Sequence, residues 1–306
     1  MEVKKDSLKA WILAARPKTL SGAAVPVMIG LALAWSDSHD YEGDVFSWPA
    51  AILCLLFAFI MQIDANFVND FIDFARGTDD RATRLGPERA CAQGWVSPDS
   101  MKHAIAATTC LACLVGLPLI FFGGLEMIFV GALCVLFCFL YTTHLSYMGL
   151  GDVLVLVFFG LVPVCITYYL QLHTIPLYTV VTSLACGLVI DALLLVNNFR
   201  DRDTDRNAGK ITLVVRIGPR PTLALYLGIG ITACLLGLVL GFRGYWLAFL
   251  LPLIYLVFHF FTYLKMKTIW EGRDLNRCLG ETARNILFYG LLLSLGLILH
   301  SFITFV

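Results

Sequence analysis

The chain has 306 residues, of which 59% are hydrophobic with glycine left out and only 14% are charged, at a mean hydropathy of +0.80. Soluble domains run at about 45–50% apolar and about 25% charged. Lipid must therefore solvate much of this surface, and disorder, a collagen-like chain and a nucleic-acid partner are excluded.

A membrane-spanning helix needs about 20 mostly apolar residues. In chain order, the qualifying stretches are Thr19–Trp35, Trp48–Phe74, Met101–Phe122, Glu126–Thr143, Asp152–Gln171, Ile175–Phe199, Arg220–Phe242, Tyr245–Leu264 and Ala283–Phe305. Lys4, Lys5 and Lys9 beside Trp11, Ile12 and Leu13 predict an interfacial helix leading into the first span, which contains Pro26 and continues back toward Arg16. The expected fold class is an all-α membrane protein with nine transmembrane helices. It forms one domain over 1–306, in two halves of about 1–145 and 146–306.

Charge placement gives the orientation. Of the 22 Lys and Arg, 21 fall in or beside the segments on one side of the nine spans and one, Arg243, on the other. The loop Asp37–Asp44 on the poor side holds four acids and no base. Basic loops stay in the cytoplasm, so the N-terminus is expected there and the C-terminus outside, in a bacterial cytoplasmic membrane. The pair Cys110 and Cys113 has redox or zinc spacing but lies in an apolar helix with no second pair, which reads as small-residue packing.

Polar groups at membrane depth are expensive and usually functional. The second span ends Gln62-Ile-Asp64-Ala-Asn66-Phe-Val-Asn69-Asp70-Phe-Ile-Asp73, and helical spacing puts Gln62, Asn66, Asn69, Asp70 and Asp73 on one face. Asp64 points the other way. The sixth span ends Asn197-Asn198-Phe-Arg200-Asp201-Arg202-Asp203-Thr-Asp205. Asp201 and Asp205 are one turn apart, with Asn198 a turn earlier. Asp191 lies two turns deeper on the same side, either as a substrate contact or as an acid paired with another helix. Acids crowded on one face repel unless cations sit among them, and hard oxygen donors without Cys or His suit Mg²⁺ completed by phosphate oxygens. Two such clusters, one per half, can clamp a diphosphate through two Mg²⁺ ions at the cytoplasmic face. The clusters centre on Asp70, Asp73, Asp201 and Asp205. Arg76, Arg81, Arg84, Arg200, Arg202, Arg206 and Lys210 would neutralise the remaining charge. A diphosphate so held leaves readily from an allylic carbon, and an apolar, aromatic-lined cavity shields the carbocation. Tyr141, Tyr168 and Tyr169 are candidates for that lining, and Asn66 for a substrate contact.

At these motifs the chain resembles the UbiA-type intramembrane prenyltransferases. The first family motif corresponds to Asn69-Asp70-Phe-Ile-Asp73, with Gly77 in place of its usual fourth acid and Asp79 two positions later; the second corresponds to Asp201-Arg-Asp-Thr-Asp205. Other matching stretches are Ala15-Arg16-Pro17-Lys18-Thr19-Leu20, Arg84-Leu-Gly-Pro87, Gly149-Leu-Gly-Asp152, the run Asn197–Gly218, and Leu275-Asn276. The resemblance implies nine helices around a central cavity capped by loops. Asn69, Asp73, Asp201 and Asp205, with Asn198 beside them, would hold Mg²⁺, and Arg16, Lys18, Arg84 and Lys210 would contact diphosphate. The Gly-x-Asp variant is similar to the naphthoate branch, which implies transfer from a polyprenyl diphosphate to 1,4-dihydroxy-2-naphthoate with loss of carbon dioxide. The loop Thr142–Tyr147 departs from that branch's proline-containing turn.

Three other readings compete. A sister enzyme would take another aromatic acceptor. An ion-coupled transporter would place its acids at the membrane midplane, whereas these lie at one end. A phospho-alcohol transferase would carry its acids in a single helix, and here they are split between two helices roughly 130 residues apart.

Overall fold

The computed structural model describes residues 3–39, 41–42, 45–77 and 84–304; Asp79 and Arg81 lie outside the described residues. Among the described residues there is no strand, and nine helices are long and apolar enough to cross a membrane. They are α1 (Leu8–Ser38), α2 (Trp48–Ala75), α3 (Pro98–Gly123), α4 (Glu126–Leu145), α5 (Gly151–Leu172), α6 (Leu177–Asn207), α7 (Pro219–Phe242), α8 (Trp246–Ile269) and α9 (Leu275–Phe302). The membrane imposes helices because every backbone polar group must be satisfied within its own segment.

Helix edges differ from the sequence expectation where polar residues find partners. The expected interfacial turn is a helix over Leu8–Ala15, capped by the Ser7 hydroxyl and ended by Arg16 in the left-handed region at φ 51°. The chain restarts through Pro17–Thr19. Beyond the apolar part of α6, the acid motif remains helical to Asn207. The last span begins at Leu275 rather than Ala283, because Leu275 and Cys278 are buried and Asn276 is bonded across the bundle.

α6 is the most buried span and α4 the least, with 67% and 6% of an 18-residue apolar stretch of each buried. Ile29 and Leu33 of α1, Val189 and Ile190 of α6, and Leu293 and Leu297 of α9 share one core. α5 and α6 touch backbone to backbone. A Cβ on Gly160 would lie 2.7 Å from the Ser183 carbonyl oxygen and 2.9 Å from the Gly187 Cα, so only glycine fits there. On the outer side of α3 and α4, Phe121, Leu125 and Phe129 are exposed, as lipid-facing residues are. Two π-helical turns, Tyr141–Leu145 and Val157–Leu161, interrupt α4 and α5; such turns cluster at functional sites.

Two buried acids have purely internal partners. Asp64 accepts hydrogen bonds from the Thr108 hydroxyl at 2.5 Å and the Thr109 hydroxyl at 2.8 Å, which fastens α2 to α3 and accounts for its turning away from the acid face. At the end of the bundle opposite the acid motifs, Asp37 accepts from Tyr168 and Tyr245, each at 2.6 Å, and from Tyr178. Tyr168 is therefore not a lining residue: its hydroxyl is tied into this far-end cluster and its ring is buried.

Candidate active site

A cavity of about 1310 Å³ runs between α1–α6 and the start of α9. Its walls are apolar over most of their depth. The charged lining, and Asn69 and Asn197 with it, gathers at one end, where α1 is broken and α2 and α6 finish: Arg16, Lys18, Arg84 and Arg89, with Glu88 the one acid of the lining among the described residues.

At the end of α2, helical spacing alone does not separate the acids. Asn69 and Asp73 face a common cation: Arg89 Nη2 donates to Asn69 Oδ1 and lies 3.4 Å from Asp73 Oδ2. Asp70 turns to the loop instead and accepts the backbone N–H groups of Ala90 at 2.8 Å and Cys91 at 2.9 Å. It anchors the segment that carries Arg89, which corrects the expectation that it stands among the catalytic acids. Burial, together with Asp70, pushes the Cys91 thiol up, so it stays protonated. Asn66 is likewise redirected. It borders the cavity, but its amide donates to the Ala15 carbonyl and the Thr19 hydroxyl, both at 2.9 Å, and so joins broken α1 to α2.

The second motif is held by arginine and lysine. Arg200 grips Asp201 through Nε at 2.8 Å and Nη2 at 2.5 Å, and it also donates to Asn197 and Asn276, both at 2.8 Å. Lys210 Nζ stands 3.4 Å from Asp205 Oδ1, while the buried Asp205 Oδ2 has no hydrogen-bond partner among the described residues. Three expectations change here. Arg202 points away from the cavity, donating to the Phe199 and Trp270 carbonyls and packing on both rings. Asn197, not Asn198, borders the main cavity; Asn198 faces a small pocket beside it. Asp191 is buried one layer behind the wall, outside the lining of either cavity.

Loop 84–87 closes the distance between the motifs. Asn276 Nδ2 holds the Leu85 carbonyl at 2.8 Å, and Arg273 donates to the Arg84 carbonyl at 3.2 Å. A Cβ on Gly86 would sit 2.6 Å from Arg200 Nη2, so glycine lets the loop backbone lie on that guanidinium. Arg84 thereby comes within electrostatic reach of Asp73 and Asp201 together. Burial first, then the neighbouring Arg16, lowers Arg84 from the ordinary arginine value to about 10, a strain that a bound polyanion relieves. Arg16 Nη2 has no hydrogen-bond partner among the described residues and is 3.9 Å from Asp70. Sequence reasoning missed Arg89, Asn197 and Asn276; the basic character of loop 84–89 was the one available signal for Arg89.

Among the described residues, no three His, Cys, Asp or Glu side chains already form a metal cage. The donor set nonetheless fits a hard divalent cation that keeps water and substrate oxygens among its ligands. Asn69 and Asp73 already share one cation, the Arg89 guanidinium, and Asp205 keeps a buried oxygen open.

The UbiA prenyltransferase family matches residues 23–301. The chain is 39% identical over 222 residues to 1,4-dihydroxy-2-naphthoate octaprenyltransferase of Escherichia coli K12, covering 69% of each chain. It is 36% identical over 244 residues to the enzyme of the same name from Mycobacterium tuberculosis, covering 78% of this chain and 80% of that one. Among solved structures, a UbiA homologue from Aeropyrum pernix superposes at TM-score 0.66 and 17% identity, covering 91% and 97% of the two chains. A homologue from Archaeoglobus fulgidus bound to GPP and Mg²⁺ superposes at 0.63 and 14% identity, covering 93% and 99%. The chain belongs to the UbiA prenyltransferase family and is an integral membrane polyprenyltransferase.

Proposed function

We propose that this UbiA-family enzyme joins a polyprenyl diphosphate to 1,4-dihydroxy-2-naphthoate with loss of carbon dioxide and diphosphate, giving demethylmenaquinol, the reduced form of the quinone. The names of the relatives at 36–39% identity support the acceptor. The single observation that carries the chemistry is that the ends of α2 and α6 border one cavity mouth, through Asn69 and Asn197, with Arg16, Lys18, Arg84 and Arg89 lining the same end.

Asn69, Asp73, Asp201 and Asp205 would hold two Mg²⁺ ions, directly or through water. When bound, Mg²⁺ neutralises diphosphate oxygens and so improves the leaving group. Arg16, Lys18, Arg84 and Lys210 orient the diphosphate and take up the charge that develops as the allylic C–O bond breaks. Arg89, which donates to Asn69 and lies 3.4 Å from Asp73, would share these groups with Mg²⁺ and the diphosphate. The apolar walls keep water from the carbocation, and the Tyr141 ring offers it a π face. The mouth faces the cytoplasm, because 21 of 22 basic residues lie on its side of the spans.

Mass spectrometry of the product tests this reading. Membranes holding the enzyme are given Mg²⁺, a polyprenyl diphosphate and dihydroxynaphthoate, 4-hydroxybenzoate or homogentisate in turn. Dihydroxynaphthoate should yield a prenylated, decarboxylated product with no ion gradient present. Product from another acceptor alone refutes the naphthoate assignment.

A further inference from the structure

Asp152 opens α5 and takes no part in either acid motif. The turn before it is firmly built. Gly149 has φ +76°, and a Cβ there would lie 2.5 Å from the Ile211 carbonyl oxygen. Ile211 N donates to the Tyr147 carbonyl at 3.1 Å, and Arg216 Nη2 to the Met148 carbonyl at 2.7 Å. Asp152 is only 9% exposed, yet its Oδ1 has no hydrogen-bond partner among the described residues. Asp191, 5% exposed, likewise has an Oδ1 without a partner, and the two carboxylates are near enough to repel each other directly. An unsatisfied acid in such surroundings is costly.

Asp152 lines a small polar cavity with Tyr141, Asn198, Lys210 and Thr212. Its free space of about 10 Å³ is room for one oxygen-sized group. Tyr141 and Leu194 line both this cavity and the large one, so the two adjoin. A group entering from the main cavity past Tyr141 would bring a single oxygen to Asp152 while the rest of it stayed outside.

We propose that Asp152 is the hydrogen-bond acceptor for a ring hydroxyl of the aromatic substrate, and that Asp191 behind it is a positioning residue that keeps this carboxylate aimed into the small cavity. The proposal rests on the prenyl-transfer reading above. A phenol supplies what Asp152 Oδ1 lacks, an O–H donor bonded to it, on a flat apolar body whose ring lies against Tyr141. Hydrogen-bonding that hydroxyl to a carboxylate also raises electron density in the ring, which favours attack on a carbocation. The Gly149–Asp152 turn thus selects for hydroxylated rings, while the acid motifs handle the diphosphate.

The test is steady-state kinetics on the full-length enzyme in membranes, comparing wild type with Asp152→Ala, Asp152→Asn and Asp191→Asn. The acceptors are dihydroxynaphthoate and its two monomethyl ethers, each lacking one O–H donor. In Asp152→Ala, KM for the hydroxylated acceptor should rise at least tenfold, while KM for the prenyl diphosphate and the Mg²⁺ requirement stay within twofold. Wild type should discriminate against one ether at least tenfold, and Asp152→Ala should treat that ether and the parent acceptor alike. Asp191→Asn should raise acceptor KM less, with the ether preference kept. An unchanged acceptor KM and retained ether discrimination in Asp152→Ala overturn the proposal. If the alanine variant fails to accumulate, Asp152→Leu, equally without an acceptor, decides by the same criteria, and Asp152→Asn, whose amide oxygen still accepts, should keep part of the ether preference. Should wild type prenylate a different phenol, the naphthoate assignment falls, and that phenol with its methyl ether then scores Asp152 separately.

Discussion

The two ends of the bundle bury carboxylates in opposite ways. At the far end, three tyrosine hydroxyls from different parts of the chain converge on Asp37, and both its oxygens are occupied. At the cavity mouth, Asp205 Oδ2 and Arg16 Nη2 have no hydrogen-bond partner among the described residues, and the buried Arg89 guanidinium lies against both Asn69 and Asp73. A saturated acid is a fastener. An acid with a buried oxygen unsatisfied, or paired with the end of a long side chain, is prepared for something that arrives later.

The contrast is sharpest in turnover. Asp73→Asn and Asp201→Asn should each lower prenyl transfer by about 100-fold or more, with the melting temperature in detergent hardly moved; a labelled prenyl diphosphate assay and a thermal melt measure both. Asp37→Ala should do the reverse. Three tyrosine hydroxyls lose their acceptor, at about 3 kcal/mol of stability, while kcat per folded molecule stays within about twofold. A large loss of kcat there would break the comparison. Next in size, Arg84→Ala should raise KM for the prenyl diphosphate about tenfold, or about 1.4 kcal/mol, without changing acceptor KM. Smallest is Thr108→Val in the Asp64 clasp, at about 0.6 kcal/mol of stability, as for other polar contacts between membrane helices. Its activity should be normal, because that acid is saturated too.

Much of this was legible in the sequence because the membrane makes it so. Apolar runs delimit the nine spans, and acids at the ends of α2 and α6 stand out against them. Periodicity stops short of contacts. It places Asp70 and Asp73 on one face, yet Asp70 caps a loop through the Ala90 and Cys91 amides, a partnership fixed 20 residues downstream. Tyr168 reads as cavity lining until Asp37, 131 residues earlier, claims its hydroxyl. Asn198 and Arg202 lie within the motif and face away from the main cavity, because α6 presents only one side to it. Arg89 and Asn276 act from a loop and a helix start, where no repeat marks a functional face.

The concentration of charge at one end of the cavity has a consequence for traffic. Beyond Gln62 and Asn66 the described lining carries no charged side chain, only apolar residues with Thr167 and a few cysteines, so a hydrated ion meets no charged partner deeper in the chamber. A carrier needs two doorways used in turn. The described chamber has one charged doorway, which suits a substrate with one charged head and a long apolar tail.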